Sequence, residues 1–304
     1  MHWYLLAFLS PLLWAVSNHI DKYILSRYLK NANSGVIAIF AGIVGFFLSL
    51  IIFLFSPKDI LGIGLINGII IVLNGALLII AFIPYYYALN NEDASTVVPL
   101  YQTIPIFSFL LGFLILRETV TLTQILAGIC IIVGATLISI DLGKTKIALK
   151  KRVLFLMLLS SFLISIHFLI FKFVAIEGTF WRTVFWECLG TVLVSAFLLI
   201  FIGNYRRKFV SVIKENSMAV ILINVFNEVL NIGAKLFANY ASLLVPVVLV
   251  NLANGLQPMF VFLIGLLLTI FLPFLGREEI TKKYIIQRVM AIVILLIGTI
   301  LLVY

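Results

Sequence analysis

PIFSFLLGFLILRETVTLTQILAG, at residues 105–128, contains two apolar runs on either side of one short charged turn. Apolar runs of this kind predict membrane-spanning helices, here joined by the turn RETVT. The same order returns later, where PMFVFLIGLL at 258–267 precedes REEITKKYIIQR at 277–288. The chain therefore contains an internal repeat whose unit includes at least two apolar helices and their connecting turn.

The composition outside this stretch is that of an integral membrane protein. Of the 304 residues, 63% are hydrophobic and 11% are charged, and the mean hydropathy is +1.23. Soluble globular domains do not have this composition, and the apolar runs lack the alternation typical of outer-membrane strands. The net charge is +9, but its basic residues lie in short loops, where they report topology rather than nucleic-acid binding. The predicted fold class is an all-α integral membrane protein.

Ten segments of about 20 residues are long enough to cross a bilayer. They lie at 3–25, 35–55, 61–88, 95–116, 122–141, 153–175, 182–203, 217–240, 244–275 and 284–303. Together with the repeat, they predict ten transmembrane helices as two inverted five-helix repeats, at 1–142 and 153–304, with a basic linker at 143–152. The second repeat is inverted because each repeat has an odd number of spans. Inverted repeats are typical of alternating-access transporters.

The distribution of Lys and Arg predicts the orientation of the chain in the membrane. Fourteen basic residues lie in the odd-numbered loops and three lie in the even-numbered loops. This bias predicts that the odd-numbered loops face the cytoplasm and that both termini lie on the opposite side. The first apolar run lacks a basic start, so a retained span is expected rather than a cleaved signal peptide.

WAVSNHIDK at 14–22, the stretch from YYYALNN to GATLI at 85–138 and LQPMFVFLIGLLL at 256–268 together resemble the EamA family of the drug/metabolite transporter superfamily. The resemblance implies a ten-span secondary carrier that moves small organic metabolites, often outward, through a cavity between its halves. It also implies that both termini are cytoplasmic, whereas the charge bias of this chain predicts the reverse. We follow the charge bias.

NVFNEVLNIGAK at 224–235 places five polar side chains within an otherwise apolar segment. They are Asn224, Asn227, Glu228, Asn231 and Lys235. Their spacing puts all five on one face of a helix. An interhelical hydrogen bond in lipid contributes only about 0.6 kcal/mol, which explains one or two such residues but not five. We predict that this stripe lines a water-filled cavity, with interhelical hydrogen bonding as the alternative.

Polar residues of other spans complete the predicted substrate pathway. An offset of 153 residues pairs Asn74 with Asn227 and Tyr101 with Asn254, so equivalent spans of the two repeats carry polar groups at equivalent depths. The predicted pathway comprises Asn18, Asn74, Tyr101, Gln102, Asn224, Asn227, Asn231, Lys235, Asn251 and Asn254. Asparagine side chains both donate and accept hydrogen bonds, so this set does not identify the substrate.

Glu228 is the predicted proton-coupling group because it is the acid nearest the middle of a predicted span. A carboxyl group held within the membrane can bind and release a proton at working pH. The alternative is a Glu that stays neutral or pairs with a neighbouring span. Glu187 is interpreted either as a gate or as the partner of a nearby cation, and Lys172 is expected to extend to the lipid headgroups.

The paired turns are assigned to folding rather than to transport. TLTQ at 121–124 has the spacing of a capping box at the start of the fifth span. Glu118 and Glu278 are expected to bind neighbouring backbone or an arginine. His19 and His167 are interpreted as hydrogen-bonded structural residues, with proton relay as the alternative.

These features predict a secondary active transporter, with export the expected direction, for a small polar or amphipathic organic metabolite such as an amino acid. No G-x-x-x-x-G-K-[ST] motif occurs, so a substrate or ion gradient would supply the energy, and protons are the candidate coupling ion. The alternative is a membrane-embedded enzyme acting on a lipid-linked substrate, although the acidic residues are scattered and no Cys/His cluster suits a metal. We expect no cofactor, metal or nucleic acid, membrane lipid as a partner, a monomer or homodimer, and a prokaryotic plasma membrane.

Overall fold

The computed structural model describes residues 3–27, 34–91, 98–139, 151–215, 218–271 and 282–303. Over these residues the structure is helical and contains no strand. The helices are α1 (Trp3–Arg27), α2 (Ser34–Phe55), α3 (Pro57–Leu61), α4 (Leu65–Asn91), α5 (Ile104–Leu111), α6 (Leu122–Ser139), α7 (Lys151–Glu177), α8 (Phe180–Phe201), α9 (Gly203–Glu215), α10 (Met218–Leu244), α11 (Val247–Asn254), α12 (Gln257–Phe271) and α13 (Lys282–Val303). A 3₁₀ turn (Val98–Thr103) precedes α5, and a π-helical turn (Gly112–Leu116) follows it.

In the described part of the chain, seven helical segments are long and apolar enough to cross a membrane, which confirms a multi-pass membrane protein. They comprise α2, α4, α7, α8, α10, the α11–α12 segment and α13. The remaining three predicted spans fall on α1, on the segment Leu100–Leu116 and on α6. Helix α1 is less apolar because it includes Asn18 and Asp21, and the other two are shorter. The ten-span, two-repeat arrangement stays a prediction.

Residues 203–215, predicted as part of a polar loop, instead form helix α9. Its apolar side packs on α2, where the rings of Phe40 and Phe209 lie 5.2 Å apart and Val212 is buried. Arg206 is exposed on the other side. The run of basic residues concealed an amphipathic pattern, which suits a helix lying along the membrane surface.

The most extensive helix contacts join the first half of the chain to the second. Helix α1 packs on α10, α2 on α8, α4 on α7, and α6 on α13. Helix α4 also packs on α8. The interior is therefore built from helices of both halves, and polar side chains on these helices face each other across the boundary between the halves.

Two glycines allow α4 and α8 to cross with their backbones in contact. A Cβ atom at Gly75 would overlap the carbonyl oxygen of Glu187, and one at Gly190 would overlap the carbonyl oxygen of Val72. Small residues at helix crossings are typical of membrane proteins, where packing drives association. This close crossing holds the start of α8, including Glu187, against the middle of α4.

Two helical segments are broken at equivalent repeat positions. The 3₁₀ turn ends at Thr103, shortly before Pro105, and the break between α11 and α12 lies just before Pro258. The two breaks meet, because a Cβ atom at Gly255 would lie only 3.2 Å from Oε1 of Gln102. Broken helices in transporters place unpaired backbone groups at the binding site.

Candidate substrate and coupling site

The polar stripe on α10 does not face a single environment. Asn227 donates from Nδ2 to Oδ1 of Asp21 at 2.6 Å, and Ser17 donates from Oγ to Oδ1 of Asn231 at 2.9 Å. Both partners belong to α1. These two asparagines therefore make the interhelical hydrogen bonds that the alternative interpretation of the stripe describes, although Oδ1 of Asn227 remains buried without a partner in the described structure.

Glu228 is buried, with 7% of its surface exposed, and it makes no hydrogen bond or ion pair with the described residues. Asp21 lies close enough to interact electrostatically with Glu228 across the α1–α10 interface. Two acids at such a site cannot both be charged without a large electrostatic cost, because the surroundings screen them poorly. The pair is therefore suited to holding a proton or another cation.

Lys235, at the other end of the stripe, contacts α8. Its Nζ lies 3.3 Å from Oε2 of Glu187, and Nε2 of His167 lies 3.2 Å from Oε1 of the same carboxyl group. Glu187 and His167 are fully buried. The interpretation of Glu187 as the partner of a cation is thus confirmed.

Helix α4 completes this cluster through Asn74. Its Nδ2 donates to the carbonyl oxygen of His167 at 3.1 Å, and its own carbonyl oxygen lies 3.4 Å from Nδ1 of His167. Since a carbonyl oxygen only accepts, this contact requires a proton on Nδ1. His19 has a simpler role, with Nε2 lying 2.9 Å from the carbonyl oxygen of Val261.

Asn239, one helical turn beyond Lys235, is a polar residue that the sequence analysis missed. It is fully buried, and neither of its side-chain polar atoms has a partner among the described residues. A buried amide without a partner is costly, so such a group points to a missing ligand or water. The spacing from Asn231 through Lys235 to Asn239 continues the stripe by steps of four, and this signal could have revealed it.

A third polar group lies where the broken helices meet. Asn251 donates from Nδ2 to Oγ of Ser108 at 2.6 Å, linking α11 to α5. Asn254 donates to Oδ1 of Asn251 at 3.4 Å, and Gln102 is buried beside the same break. The sequence predicted Gln102, Asn251 and Asn254 as pathway residues, and the structure brings these three together.

Three predicted pathway residues lie apart from these clusters. Asn18 is exposed on α1. Asn224 donates to the carbonyl oxygen of Val220 within its own helix at 2.9 Å. Tyr101 is partly buried, and its hydroxyl group lies 3.5 Å from Oγ of Ser160. The interior therefore gathers most of the predicted pathway, in three groups rather than along one continuous stripe.

A second buried ion pair joins the two halves near the helix ends. Nζ of Lys172 lies 2.5 Å from Oε1 of Glu118 and donates to the carbonyl oxygen of Val245 at 2.7 Å. The backbone N–H of Val247 donates to Oε2 of Glu118 at 2.9 Å. The predicted extension of Lys172 to the headgroups is wrong, because an acid and a carbonyl satisfy its charge inside the protein.

The turn that presents Glu118 follows the predicted folding role. Arg117 adopts a left-handed conformation, with φ of 55°, that ends the π-helical turn. The predicted capping box is confirmed, because Thr121 N–H donates to Oε1 of Gln124 at 2.9 Å and Gln124 N–H donates to Oγ1 of Thr121 at 3.2 Å. Glu278 and the side chain of Lys22 lie outside the described residues.

The described His, Cys, Asp and Glu residues form no group of three that could hold a metal ion. Cys130 and Cys188 are free thiols. A shallow recess opens at the ends of α4, α7 and α8, where Asn67 donates to Glu177 at 3.0 Å. Glu177 lies ten residues beyond His167 along α7, so this recess is separate from the buried cluster.

Comparisons with known proteins agree with this architecture. The model of the EamA-like transporter family matches residues 1–140. An uncharacterized protein of Methanocaldococcus jannaschii is 37% identical over 109 residues, which are 34% of this chain and 74% of that protein. A solved crystal structure matches with a TM-score of 0.71 at 13% identity, covering 98% of this chain and 95% of its own. The last likeness concerns the fold alone.

The family match covers the half that contributes α1, α4, Asn74 and Glu118 to the buried clusters, and it agrees with the resemblance of the sequence motifs. Its members are membrane transporters. Residues 1–140 of the chain belong to the EamA-like transporter family, within the drug/metabolite transporter superfamily.

Proposed function

We propose that this protein is a secondary active transporter that moves a small polar or amphipathic organic metabolite by alternating access. The observation that carries the proposal is the buried cluster of His167, Glu187 and Lys235, which contacts Asn74 of the first half. Charged groups inside a membrane are costly and usually mark a substrate or ion pathway. A protein that only needed to pack its helices would not require them.

The pattern of helix contacts supports two inverted repeats. If the halves correspond, α1 is equivalent to α7 and α4 is equivalent to α10. The contact of α1 with α10 then becomes the contact of α7 with α4, and both are among the most extensive in the structure. The matching breaks before Pro105 and Pro258 support the same symmetry. Such symmetry supplies the two opposite-facing states that alternating access requires.

The proposed substrate pathway keeps the residues expected from the sequence, with three roles distinguished by their surroundings. Gln102, Asn251 and Asn254 form its midpoint at the broken helices, and Lys235 is its cationic site. Glu228 is the proposed proton-coupling group, because it is buried, lacks a hydrogen-bond or ion-pair partner in the described structure and interacts electrostatically with Asp21. Asn18, Asn74, Tyr101, Asn224, Asn227 and Asn231 are its proposed walls.

The proposal extends to orientation and location. Both termini lie outside the cytoplasm, following the loop charges. The protein works as a monomer or homodimer in a prokaryotic plasma membrane and exports its substrate, with an amino acid as the leading class.

Reconstitution into liposomes tests the transport function against the enzyme alternative. Liposomes containing the purified protein are loaded with a panel of amino acids, organic acids, amines and nucleosides. The flux of each solute across the membrane and its chemical identity are then measured together. We expect at least one solute to cross unchanged, faster than in protein-free vesicles. Turnover of lipid-linked substrates without flux of any solute would contradict the proposal and favour an enzyme.

A further inference from the structure

The contact between His167 and Glu187 has a defined proton requirement. Nδ1 of His167 carries a proton because it faces the carbonyl oxygen of Asn74 at 3.4 Å. Nε2, which faces Oε1 of Glu187 at 3.2 Å, is then either protonated or a bare lone pair. The two atoms lie at ion-pair distance, but neither makes a hydrogen bond in the described structure. A lone pair facing a carboxylate oxygen is repulsive, so one further proton bound by these two side chains would stabilise the contact.

With that proton bound, the cluster of His167, Glu187 and Lys235 carries a net positive charge. When His167 and Glu187 share one additional proton, their charges sum to zero. This holds both for an imidazolium with a carboxylate and for two neutral side chains. Lys235 adds one positive charge, and its Nζ lies 3.3 Å from the other oxygen of Glu187. All three side chains are buried, where an uncompensated charge is costly. The protonated cluster therefore favours an anion beside it.

Hydrogen-bond donors for such an anion are present on α10. An ammonium group has three N–H donors, and in the described structure the ammonium group of Lys235 contacts Glu187 alone. Asn239 lies four residues further along the same face, about one helical turn away. Its buried amide, with neither polar atom partnered in the described structure, is a second and independent indication of a ligand.

We propose that His167, Glu187, Lys235 and Asn239 form a subsite that binds an organic carboxylate together with one proton. This inference rests on the proposed transport function and assigns its substrate class. The carboxylate binds to Lys235 and the amide of Asn239, while a proton from solvent is bound between His167 and Glu187. In the empty state the opposite charges of Glu187 and Lys235 cancel. In the loaded state the bound proton compensates the charge of Glu187, and the bound carboxylate compensates the charge of Lys235.

Other ionisable side chains near Glu187 do not replace this role. The thiol of Cys188 is the adjacent titratable group on α8, while α4 presents only Asn74 and the Gly75 backbone. Lys172, five residues beyond His167 on α7, is already neutralised by Glu118. Lys235 is therefore the cation that remains for an anionic ligand in this described cluster.

The proposal is tested by measuring how the purified protein, in detergent or nanodiscs, binds matched pairs of acids and amides. The probes are phenylalanine and phenylalaninamide, leucine and leucinamide, and lactate and lactamide, with binding measured by calorimetry and thermal shift. We expect acids to bind in preference to their amides. In weakly buffered solution, acid binding should take up about one proton, and above the titration midpoint affinity should fall about tenfold per pH unit.

Two variants separate the proton from the anion. Glu187→Gln offers an amide N–H to Nε2 of His167 and leaves the cluster permanently positive, so acids should bind without proton uptake and without the pH dependence. Lys235→Met should abolish the preference for acids. The double variant Glu118→Leu with Lys172→Met is the matched control, because it removes the other buried ion pair without leaving an unpaired charge. It should keep both the preference and the proton uptake.

The outcomes distinguish this inference from the transport function itself. Equal binding of acids and amides by the wild-type protein, no acid binding at any pH, or undiminished proton uptake by Glu187→Gln overturns the carboxylate subsite. The first two of these outcomes are measured on the wild-type protein and do not depend on whether a variant folds. If liposomes then carry an amine or another solute without a carboxylate, the transporter stands and only its assigned substrate class falls. Lack of flux for every solute class would instead remove the proposed function.

Discussion

At the scale of single residues, partners rather than positions determine what the buried charges do. Lys172 and Lys235 are both lysines on apolar helices, and each has an acid within 3.3 Å. Lys172 is also bound to a backbone carbonyl, whereas Lys235 lies beside an unpartnered amide. The first arrangement gives two of the three ammonium donors an acceptor and suits a structural link. The second has donors to spare and suits a ligand.

Glu228→Gln tests the coupling role of the unpaired acid. The substitution keeps shape and hydrogen bonding but cannot titrate, so the variant should still bind substrate and exchange it across liposomes. It should accumulate less substrate than the wild type when a pH difference is imposed, because only the proton bound at His167 and Glu187 remains. Glu215→Gln, an exposed acid on α9, is the control and should behave as wild type. Normal pH-driven accumulation by Glu228→Gln would leave Asp21 and Glu228 as a binding surface only.

Removing one partner of the second ion pair should destabilise the protein strongly. Glu118→Ala leaves Lys172 charged and buried without its acid, at a cost of about 3–5 kcal/mol in the free energy of unfolding. The double variant Glu118→Leu with Lys172→Met removes both charges and should recover most of that loss. Denaturant unfolding in detergent measures both. A Glu118→Ala variant as stable as wild type would mean that this pair does not hold the halves together.

At the scale of helices, two kinds of irregularity shape the interior. The breaks before Pro105 and Pro258 release regular backbone pairing where Gln102 and Gly255 meet. The crossing at Gly75 and Gly190 brings α4 against α8, which positions Glu187. A proline lies next to each break, and its missing N–H is a sequence feature that accompanies such breaks. The crossing depends on which helices are neighbours, and a single glycine in an apolar run does not reveal that.

Gly190→Ala tests the crossing. Its Cβ atom would overlap the carbonyl oxygen of Val72, so the helices must separate, and we expect a loss of about 1–3 kcal/mol from overpacking. Gly203→Ala is the control, because a Cβ atom there meets open space. Thermal unfolding in detergent should show a lower midpoint for Gly190→Ala and little change for Gly203→Ala. Equal midpoints would mean that α4 and α8 do not approach this closely.

Cysteine scanning tests whether the face of α10 is wet. In a background without Cys130 and Cys188, single cysteines at 227 and 231 should react with a small water-soluble thiol reagent, and substrate should protect them. Cysteines replacing Leu222 and Val229 should be inert, since these side chains are exposed on the outer face, where lipid covers them. Inertness at 227 and 231 would assign the stripe to interhelical hydrogen bonding.

At the scale of the whole molecule, the sequence predicted the helical segments far better than their partners. Length and apolarity alone located the helices, because a bilayer imposes both. Pro105 and Pro258 occupy matching positions in the sequence repeat, and a helix break lies just before each of them. Glu187 and Lys235 are 48 residues apart on different helices, so neither spacing nor hydropathy could show that they meet. Helix α9 was missed because its basic residues masked its amphipathic pattern.

The central claim is that the two halves are inserted in opposite orientations, and the repeated turns test it most directly. Residues 119 and 279 occupy matching positions in RET and REE. In the cysteine-free background, single cysteines at these positions are labelled in intact cells and in inverted vesicles with a reagent that cannot cross the membrane. We predict that 119 reacts only from outside and 279 only from the cytoplasmic side. Labelling of both cysteines from the same side would contradict the inverted repeat and the alternating-access mechanism built on it.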